Sequence, residues 1–184
     1  MKIWKADFLS AKFHTQAHFA DIGKVRNLKF YSLDSWGSFP DITLTIEPPY
    51  PPADFLTCGP IRVVSEKLMQ TLVSHPGVLA EFFPLDVIYA GQLYTETNYY
   101  CLHILDGVEC LDFERSKFSV DPEKGWVDAI DKLVIDESKV VGHELFRITD
   151  VDFIIECASE QLAERITAAK FTGVRFFEPT ELRW

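Results

Sequence analysis

The sequence predicts an α+β fold, with a mostly antiparallel or mixed sheet and two principal helices packed on it. Two segments, near residues 61–88 and 153–179, carry this prediction, because each reads as a strand, a helix and a second strand. The rest of the chain consists largely of short apolar or alternating runs separated by turn residues, which is typical of strands.

The later segment begins with the apolar run Phe153–Cys157, which predicts a strand. Ser159 follows as a helix N-cap, with Glu160 in the first turn. Gly173 ends the helix, and Val174–Phe177 predicts the second strand. Between these two positions, apolar residues recur at helical spacing and form one stripe on the predicted helix: Leu162, Ala163, Ile166 and Ala169.

The earlier segment repeats this pattern 94 positions upstream without a gap. The matching residues are Ser65, Glu66, Leu68, Phe82 and Phe83 against Ser159, Glu160, Leu162, Phe176 and Phe177. An internal duplication of a strand-helix-strand module would explain the match. The alternative is two unrelated amphipathic helices, each followed by a strand.

The remaining elements are predicted as strands joined by turns. The apolar run Asn98–Leu105 should be a central strand, and Asp106-Gly107 after it is a hairpin signal. The other predicted strands are 1–8, 28–31, 42–46, 108–113, 126–135 and 145–148. The Pro-rich stretch Glu47–Pro52 would connect an N-terminal strand-rich element (1–52) to a core (53–184), together forming one compact domain.

The composition predicts a globular protein with a sizeable core. The chain has 184 residues, of which 47% are hydrophobic and 14% aromatic. No apolar run approaches the roughly 18 residues of a membrane span, and MKIWKADF has no signal-peptide core. We therefore expect a cytoplasmic protein that does not bind membranes. The four cysteines have no C-x-x-C spacing and lie in or beside apolar runs, so buried free thiols are expected.

The net charge of −10 is unevenly distributed. Residues 1–92 carry 9 acidic and 8 basic side chains, whereas Glu96–Glu156 alone carries 15 acidic and 6 basic. This acidic block argues against direct nucleic-acid binding and favours a basic protein partner. Ordinary solubilising charge is the alternative.

No catalytic motif is present: there is no G-x-S-x-G, no Gly-rich phosphate loop and no H-E-x-x-H. His14 and His18 have metal-ligand spacing for a helix, but a histidine pair on a short helix or loop is the simpler interpretation. His103, with Asp106, Glu109 and Asp112, would be the site if the protein were an enzyme. A core histidine and solvated hairpin carboxylates are the alternative, and no cofactor or metal is predicted.

Four stretches resemble a family of bacterial immunity proteins, the eleventh-numbered immunity family, first catalogued as a domain of unknown function. They are VVSEKL with EFFP, LDGVECLDFERSKF, KLVIDESKVVGHELFRI and SEQLAERITAAKFTGVRFFEP, and they span about residues 60–180. The resemblance implies a small cytoplasmic protein, encoded beside a polymorphic toxin, that binds and neutralises that toxin without enzymatic activity. It supplies no catalytic residues to carry over.

The leading hypothesis is therefore a toxin-neutralising protein whose partner is a cognate toxin, and the acidic block favours a basic, nuclease-like toxin. Its expected contacts are late-middle carboxylates with two tryptophans as anchors: Asp106, Glu109, Asp112, Glu114, Asp121, Glu123, Asp128, Trp36 and Trp126. A homo-oligomeric assembly subunit and an enzyme are the competing hypotheses.

Overall fold

The computed structural model describes residues 1–6, 17–19, 22–25, 28–123, 125 and 127–181. Two α-helices in this part of the chain are α1 (Glu66–Val73) and α2 (Glu160–Ala168). The strands are β1 (Lys2–Ala6), β2 (Ala17–Phe19), β3 (Thr43–Ile46), β4 (Phe55–Cys58), β5 (Ile61–Ser65), β6 (Ala80–Tyr89), β7 (Gln92–Leu93), β8 (Tyr99–Ile104), β9 (Gly107–Val108), β10 (Lys117–Val120), β11 (Val127–Lys132), β12 (Leu145–Ile148), β13 (Glu156–Ala158) and β14 (Val174–Phe177).

The strands form two sheets and a separate hairpin. The first sheet has the order β2-β3-β6-β8-β5-β4, with β7 also paired to β6. The second has the order β14-β1-β13-β12-β9, and β10 pairs with β11. Two pairs, β3 with β6 and β9 with β12, are parallel, and the other pairs are antiparallel. The predicted α+β class, mostly sheet with two helices, is confirmed.

Both helices begin at the predicted serine. The Ser65 hydroxyl accepts a hydrogen bond from the Leu68 amide at 3.4 Å, and the Ser159 hydroxyl accepts one from Leu162 at 3.0 Å. These bonds satisfy amides that have no partner within the helix. The buried stripes are Leu68 and Leu72 on α1, and Leu162, Ala163 and Ile166 on α2.

The helices meet in a core that both sheets share. Trp4 of β1 packs edge-to-face on Phe55 of β4, with ring centroids 5.2 Å apart. The buried members of this core come from strands of both sheets and from both helices: Trp4, Phe55, Val64, Leu68, Leu72, Leu102, Ile104, Leu145, Ala158, Leu162, Ile166 and Phe171. This apolar cluster therefore joins the two sheets.

Asp54 ties the start of α1 to the chain that follows α2. One carboxylate oxygen accepts from the Ser65 hydroxyl at 2.7 Å, and the other accepts from the Thr172 amide and hydroxyl at 2.9 and 2.8 Å. Gly173 comes next with a φ of +78°, and a Cβ there would lie 2.2 Å from the Phe55 carbonyl oxygen. Only glycine fits this close approach without a backbone shift.

The two strand-helix-strand segments share one arrangement and one register. In each, a strand from elsewhere in the chain lies between the two strands that flank the helix: β8 lies between β5 and β6, and β1 lies between β13 and β14. Corresponding cross-strand triplets are Val63–Cys101–Phe83 and Cys157–Ile3–Phe177. The flanking residues of these triplets differ by the 94 positions found in the sequence match.

Several predicted strands lie where expected. β1, β3, β8 and β12 fall within the predicted ranges, and β8 is central to its sheet. Apolar and polar residues alternate in β3 and so does their burial, because Leu44 and Ile46 are fully buried while Thr43 and Thr45 are partly exposed. In the part of the chain described, neither helix has the length and apolar character required to cross a bilayer.

The predicted strand at 28–31 is wrong. The Phe30 amide donates to the Leu28 carbonyl and the Ser32 amide to the Lys29 carbonyl, both at 3.0 Å, so the segment is a series of turns. The Phe30 carbonyl accepts from Arg147 Nη1 at 2.7 Å instead of joining a ladder. A tertiary contact therefore replaces the strand that local propensity predicted.

The predicted hairpin at Asp106-Gly107, with a returning strand over Val108–Phe113, is also wrong. The chain does not reverse there but crosses to the second sheet, where Gly107–Val108 pairs in parallel with β12. A Cβ on Gly107 would lie 2.2 Å from a methyl group of Leu33. Close packing, rather than a tight turn, accounts for this glycine.

Two further strand predictions need correction. The strand predicted over Phe153–Cys157 begins only at Glu156. The strand predicted over 126–135 is described from Val127 to Lys132. Val127 and Ile130 are both buried, although strict alternation would place them on opposite faces. The register of the β10–β11 pair shifts twice, which breaks the simple alternation.

Candidate partner-binding surface

The carboxylates predicted to bind a partner fall into two groups. Glu109, Glu114, Glu123 and Asp128 are exposed. Asp106, Asp112 and Asp121 are less exposed and are held by contacts within the protein. The exposed carboxylates can be reached by a partner's cation, although Asp128 also accepts a hydrogen bond from the Ser119 hydroxyl. The carboxylates of the second group mainly hold the surrounding loops in place.

Asp112 organises the turn that carries Glu114. Its carboxylate accepts from the Arg115 amide at 2.8 Å and from Arg115 Nε at 2.7 Å. These hydrogen bonds, the backbone one first, lower the pKa of Asp112 below its usual value. The Ser116 amide closes the turn on the Asp112 carbonyl at 2.9 Å. Asp112 therefore acts here as a turn-forming residue.

Asp106 is paired with a histidine. Its carboxylate lies 2.8 Å from His143 Nδ1, and the side chain of Asp106 is only 11% exposed. The pair joins the crossing between the sheets to the loop before β12. Asp106 therefore contributes little exposed charge to the surface.

Trp36 is half-buried and packs over the first sheet. Its ring stacks on His103 at a centroid distance of 3.9 Å, and on Phe39 and Phe83 at 5.9 and 5.8 Å. Its amide also donates to Glu81 Oε2 at 3.0 Å. The indole is thus committed to covering the core. Trp126, the second predicted anchor, lies outside the described residues.

His103, the candidate for an enzymatic site, is fully buried beneath Trp36. Its Nε2 donates to the Asp34 carbonyl at 2.9 Å, and its Nδ1 has no hydrogen-bond partner. Burial lowers the pKa of His103, so the ring is neutral near pH 7. Its expected companions are engaged elsewhere, Asp106 with His143 and Asp112 with Arg115. The described structure therefore does not assemble the predicted His103–carboxylate group.

A second histidine–carboxylate contact was not predicted. Glu144 Oε2 accepts from His75 Nε2 at 2.8 Å and also from the Ser159 hydroxyl. Burial works to raise the pKa of Glu144, but the bonds from Ser159 and His75 outweigh it and the pKa is lowered. Nucleophilic catalysis needs the histidine between serine and acid, whereas here the carboxylate lies in the middle. The contact joins the C-terminus of α1 to the N-terminus of α2. His75 and Glu144 are 69 positions apart, so no local sequence pattern indicates the contact.

The spacing of His14 and His18 would suit a metal site only on a helix, and the one of them that the structure describes is not on a helix. His18 is exposed on strand β2, and His14 lies outside the described residues. Among the residues that the structure describes, no group of three or more His, Cys, Asp or Glu side chains is arranged to hold a metal ion.

An apolar groove lies between the β10–β11 hairpin and the loop 149–152. It encloses about 360 Å³ and is lined by Phe113, Val120, Gly125, Val127 and residues 149–152. Phe113 is 52% and Val120 44% exposed, although both are large and apolar. We call this feature the hairpin groove. It was missed in the sequence because its walls come from three separate stretches.

Packing and hydrogen bonds hold the base of the hairpin groove together. Phe113 packs edge-to-face on Phe118 of β10, with ring centroids 5.5 Å apart. Val127 bridges to Val151, and Asp150 Oδ2 accepts from the Leu111 amide at 2.7 Å. Asp152, on the loop wall, is exposed. The groove thus combines a fixed apolar floor with carboxylates at its edge, as protein-binding sites do.

Comparison of the sequence with known protein families identifies its family. No curated protein matches the sequence. The profile of the Immunity protein family (Imm11) matches residues 16–180, which runs from just before β2 to the turn after β14. The match covers most of the 184 residues and includes every lining residue of the hairpin groove. The chain therefore belongs to the Imm11 immunity protein family.

Proposed function

We propose that this protein binds a cognate bacterial toxin domain and neutralises it without chemistry of its own. Membership of the immunity family over residues 16–180 is the observation that carries the proposal. An inhibitor of this kind needs a stable scaffold, a complementary charged surface and a few apolar anchors. The shared core of the two sheets, the acidic block and the hairpin groove meet these three needs.

The charge of the protein favours a basic toxin. Glu96–Glu156 holds 15 acidic and 6 basic residues, and Glu109, Glu114, Glu123 and Asp128 within it are exposed. Opposite charges accelerate association and fix orientation. Proteins that act on nucleic acid are commonly basic because they contact phosphate, so a nuclease-like toxin is the proposed target. A toxin with such a target acts inside the cell, and the cytoplasm is then where neutralisation takes place.

Co-expression tests the function directly. The toxin domain encoded beside this gene should kill or arrest cells when expressed alone and should be harmless together with this chain. A purified pair should form a complex of defined stoichiometry by size exclusion with light scattering. Undiminished toxicity in the presence of well-folded protein would contradict the proposal. Light scattering of the protein alone also tests the competing assembly hypothesis, which requires a stable homo-oligomer.

Salt dependence tests the electrostatic part separately. The Debye length shrinks from about 10 Å at 0.1 M to about 3 Å at 1 M salt, so charge-steered association should slow as salt is added. The association rate measured by stopped flow should fall at least about tenfold over this range. A rate that is insensitive to salt would leave toxin binding intact but would remove the basic-partner proposal.

We also infer that the two strand-helix-strand segments descend from one duplicated module. The support is that pairing register, helix cap and sequence offset all agree between them, as in the triplets through Cys101 and Ile3. Unrelated segments would have no reason to share a register. Comparing the two halves across other family members tests this, because common descent predicts one constant correspondence and chance similarity predicts none.

A further inference from the structure

The hairpin groove differs from ordinary protein surface because large apolar side chains that line it are exposed to solvent. Phe113 and Val120 line the groove together with the loop 149–152, and both side chains remain about half exposed. Single exposed apolar residues are common, but two of them lining one concave site, next to buried Val127, indicate a contact surface.

The surroundings of the hairpin groove carry an excess of negative charge. Residues 109–128 together with 149–152 contain eight acidic and three basic side chains, a net charge of −5. Asp152 lines the groove itself and is exposed, and Asp150 beside it has one oxygen held by the Leu111 amide. An apolar side chain that enters this groove is therefore best accompanied by neighbouring cations.

A second groove of about 400 Å³ provides a contrast. It lies along β6, β7 and β8 and includes the exposed residues Leu93 and Asp86. Asp86 is the one charged residue among those that line it. It thus offers comparable space and an exposed leucine without a strongly charged edge, and it serves as a matched control.

We propose that the hairpin groove receives a segment of the cognate toxin in which an apolar side chain is flanked by lysine or arginine. The apolar side chain packs against Phe113, Val120 and Val127, and the cations face Asp152 and the neighbouring exposed carboxylates. This inference rests on the proposed function and gives it a location and a chemistry of recognition.

The probe for testing it is the toxin domain encoded beside this gene, purified and immobilised after inactivation. Two variants remove the proposed contacts: Phe113→Ala the apolar anchor and Asp152→Asn the edge charge. Two matched controls make the same kind of change at the second groove: Leu93→Ala and Asp86→Asn. Each variant is first checked for wild-type circular dichroism and thermal midpoint.

We expect Phe113→Ala to raise Kd at least about tenfold, mainly through faster dissociation, as is typical of a central apolar contact. Asp152→Asn should slow association a few-fold at about 0.05 M salt and have little effect at about 1 M. The two control variants should bind like wild type. If Phe113→Ala loses its fold, Val120→Lys replaces it, since this exposed position tolerates a polar residue and should repel a basic segment.

Three results would overturn the inference in distinguishable ways. Wild-type protein that does not bind the toxin removes both the proposed function and the occupant of the groove. Wild-type binding that Leu93→Ala weakens and Phe113→Ala does not leaves the function standing and moves the interface to the second groove. If hydrogen exchange in the complex showed no added protection over 111–129 and 149–155, the hairpin groove would be excluded as the interface. The proposed function would still stand.

Discussion

Arg62 Nε donates to Glu156 Oε2 at 2.7 Å, with the two side chains only 13% and 3% exposed. The residues are 94 positions apart, so they occupy corresponding places in the two strand-helix-strand segments. The ion pair therefore joins β5 of the first sheet to β13 of the second. Arg147 approaches from β12, with its Nε 3.9 Å from the other carboxylate oxygen of Glu156.

Removing Glu156 should be costlier than removing Arg62. Glu156→Gln leaves Arg62 and Arg147 without a counter-charge, whereas Arg62→Gln leaves Glu156 facing Arg147. We expect Glu156→Gln to lower the free energy of unfolding by about 3–5 kcal/mol, and Arg62→Gln by clearly less, because Arg62 is nearer to solvent. Urea denaturation followed by fluorescence measures both. Equal or reversed effects would contradict the assignment of Glu156 as the shared counter-ion.

Gly173 and Gly91 allow backbone strain to be separated from steric exclusion. Both have a φ of +78°, but a Cβ at Gly91 would meet nothing within 4 Å. We expect Gly91→Ala to cost about 1 kcal/mol from conformation alone. Gly173→Ala should cost more than about 3 kcal/mol, because its Cβ would also collide with the Phe55 carbonyl. Thermal or urea unfolding measures both variants. Equal losses of unfolding free energy would show that the structure around Gly173 can shift to accommodate a Cβ.

Glu144 should make stability depend on pH in the acid range. Its folded-state pKa lies below the ordinary value of 4.5, so its contribution is complete above that value and is lost as the pH falls through the folded pKa. The difference in unfolding free energy between wild type and Glu144→Gln should shrink as the pH falls below about 4.5. Urea titrations from about pH 3 to 7 measure this. A difference that grows on acidification would refute the prediction.

The cysteines should differ in reactivity towards thiol reagents. All four are free, and Cys101, Cys110 and Cys157 are buried while Cys58 is partly exposed. Burial raises the pKa of Cys110 to about 12, and burial likewise raises the pKa of Cys101 and Cys157, so little thiolate is present near pH 8.

With Ellman's reagent, native protein should therefore release about one equivalent, slowly, and denatured protein all four. A Cys58→Ser variant should lose the native equivalent. Rapid labelling of two or more thiols in the native protein would show that the buried cysteines open to solvent readily.

Local chemistry accounts for what could be predicted. Ser65 and Ser159 cap helices through bonds to residues three positions away, and Thr43–Ile46 alternates along one strand, so these signals lie within a few residues. Such patterns are readable because they need no knowledge of the rest of the fold.

The failures share a different cause. Phe30 contacts Arg147, and Gly107 packs against Leu33, across distances in the chain that no local pattern encodes. The same holds for the candidate site. The acidic block could be predicted from composition, but the hairpin groove could not, because it forms only when the fold brings Phe113 close to the loop 149–152. Charge can be counted along a sequence, whereas concavity cannot.

The position of β1 has a consequence for biosynthesis. Its partners β13 and β14 begin only at Glu156 and Val174, so a growing chain carries β1 long before either has left the ribosome. Ile3 and Trp4, which end up 1% and 2% exposed, remain without the two strands that flank them through that interval. Completion of the second sheet must therefore follow translation of nearly all of the described sequence, and chaperones that shield apolar segments have a defined window in which to act.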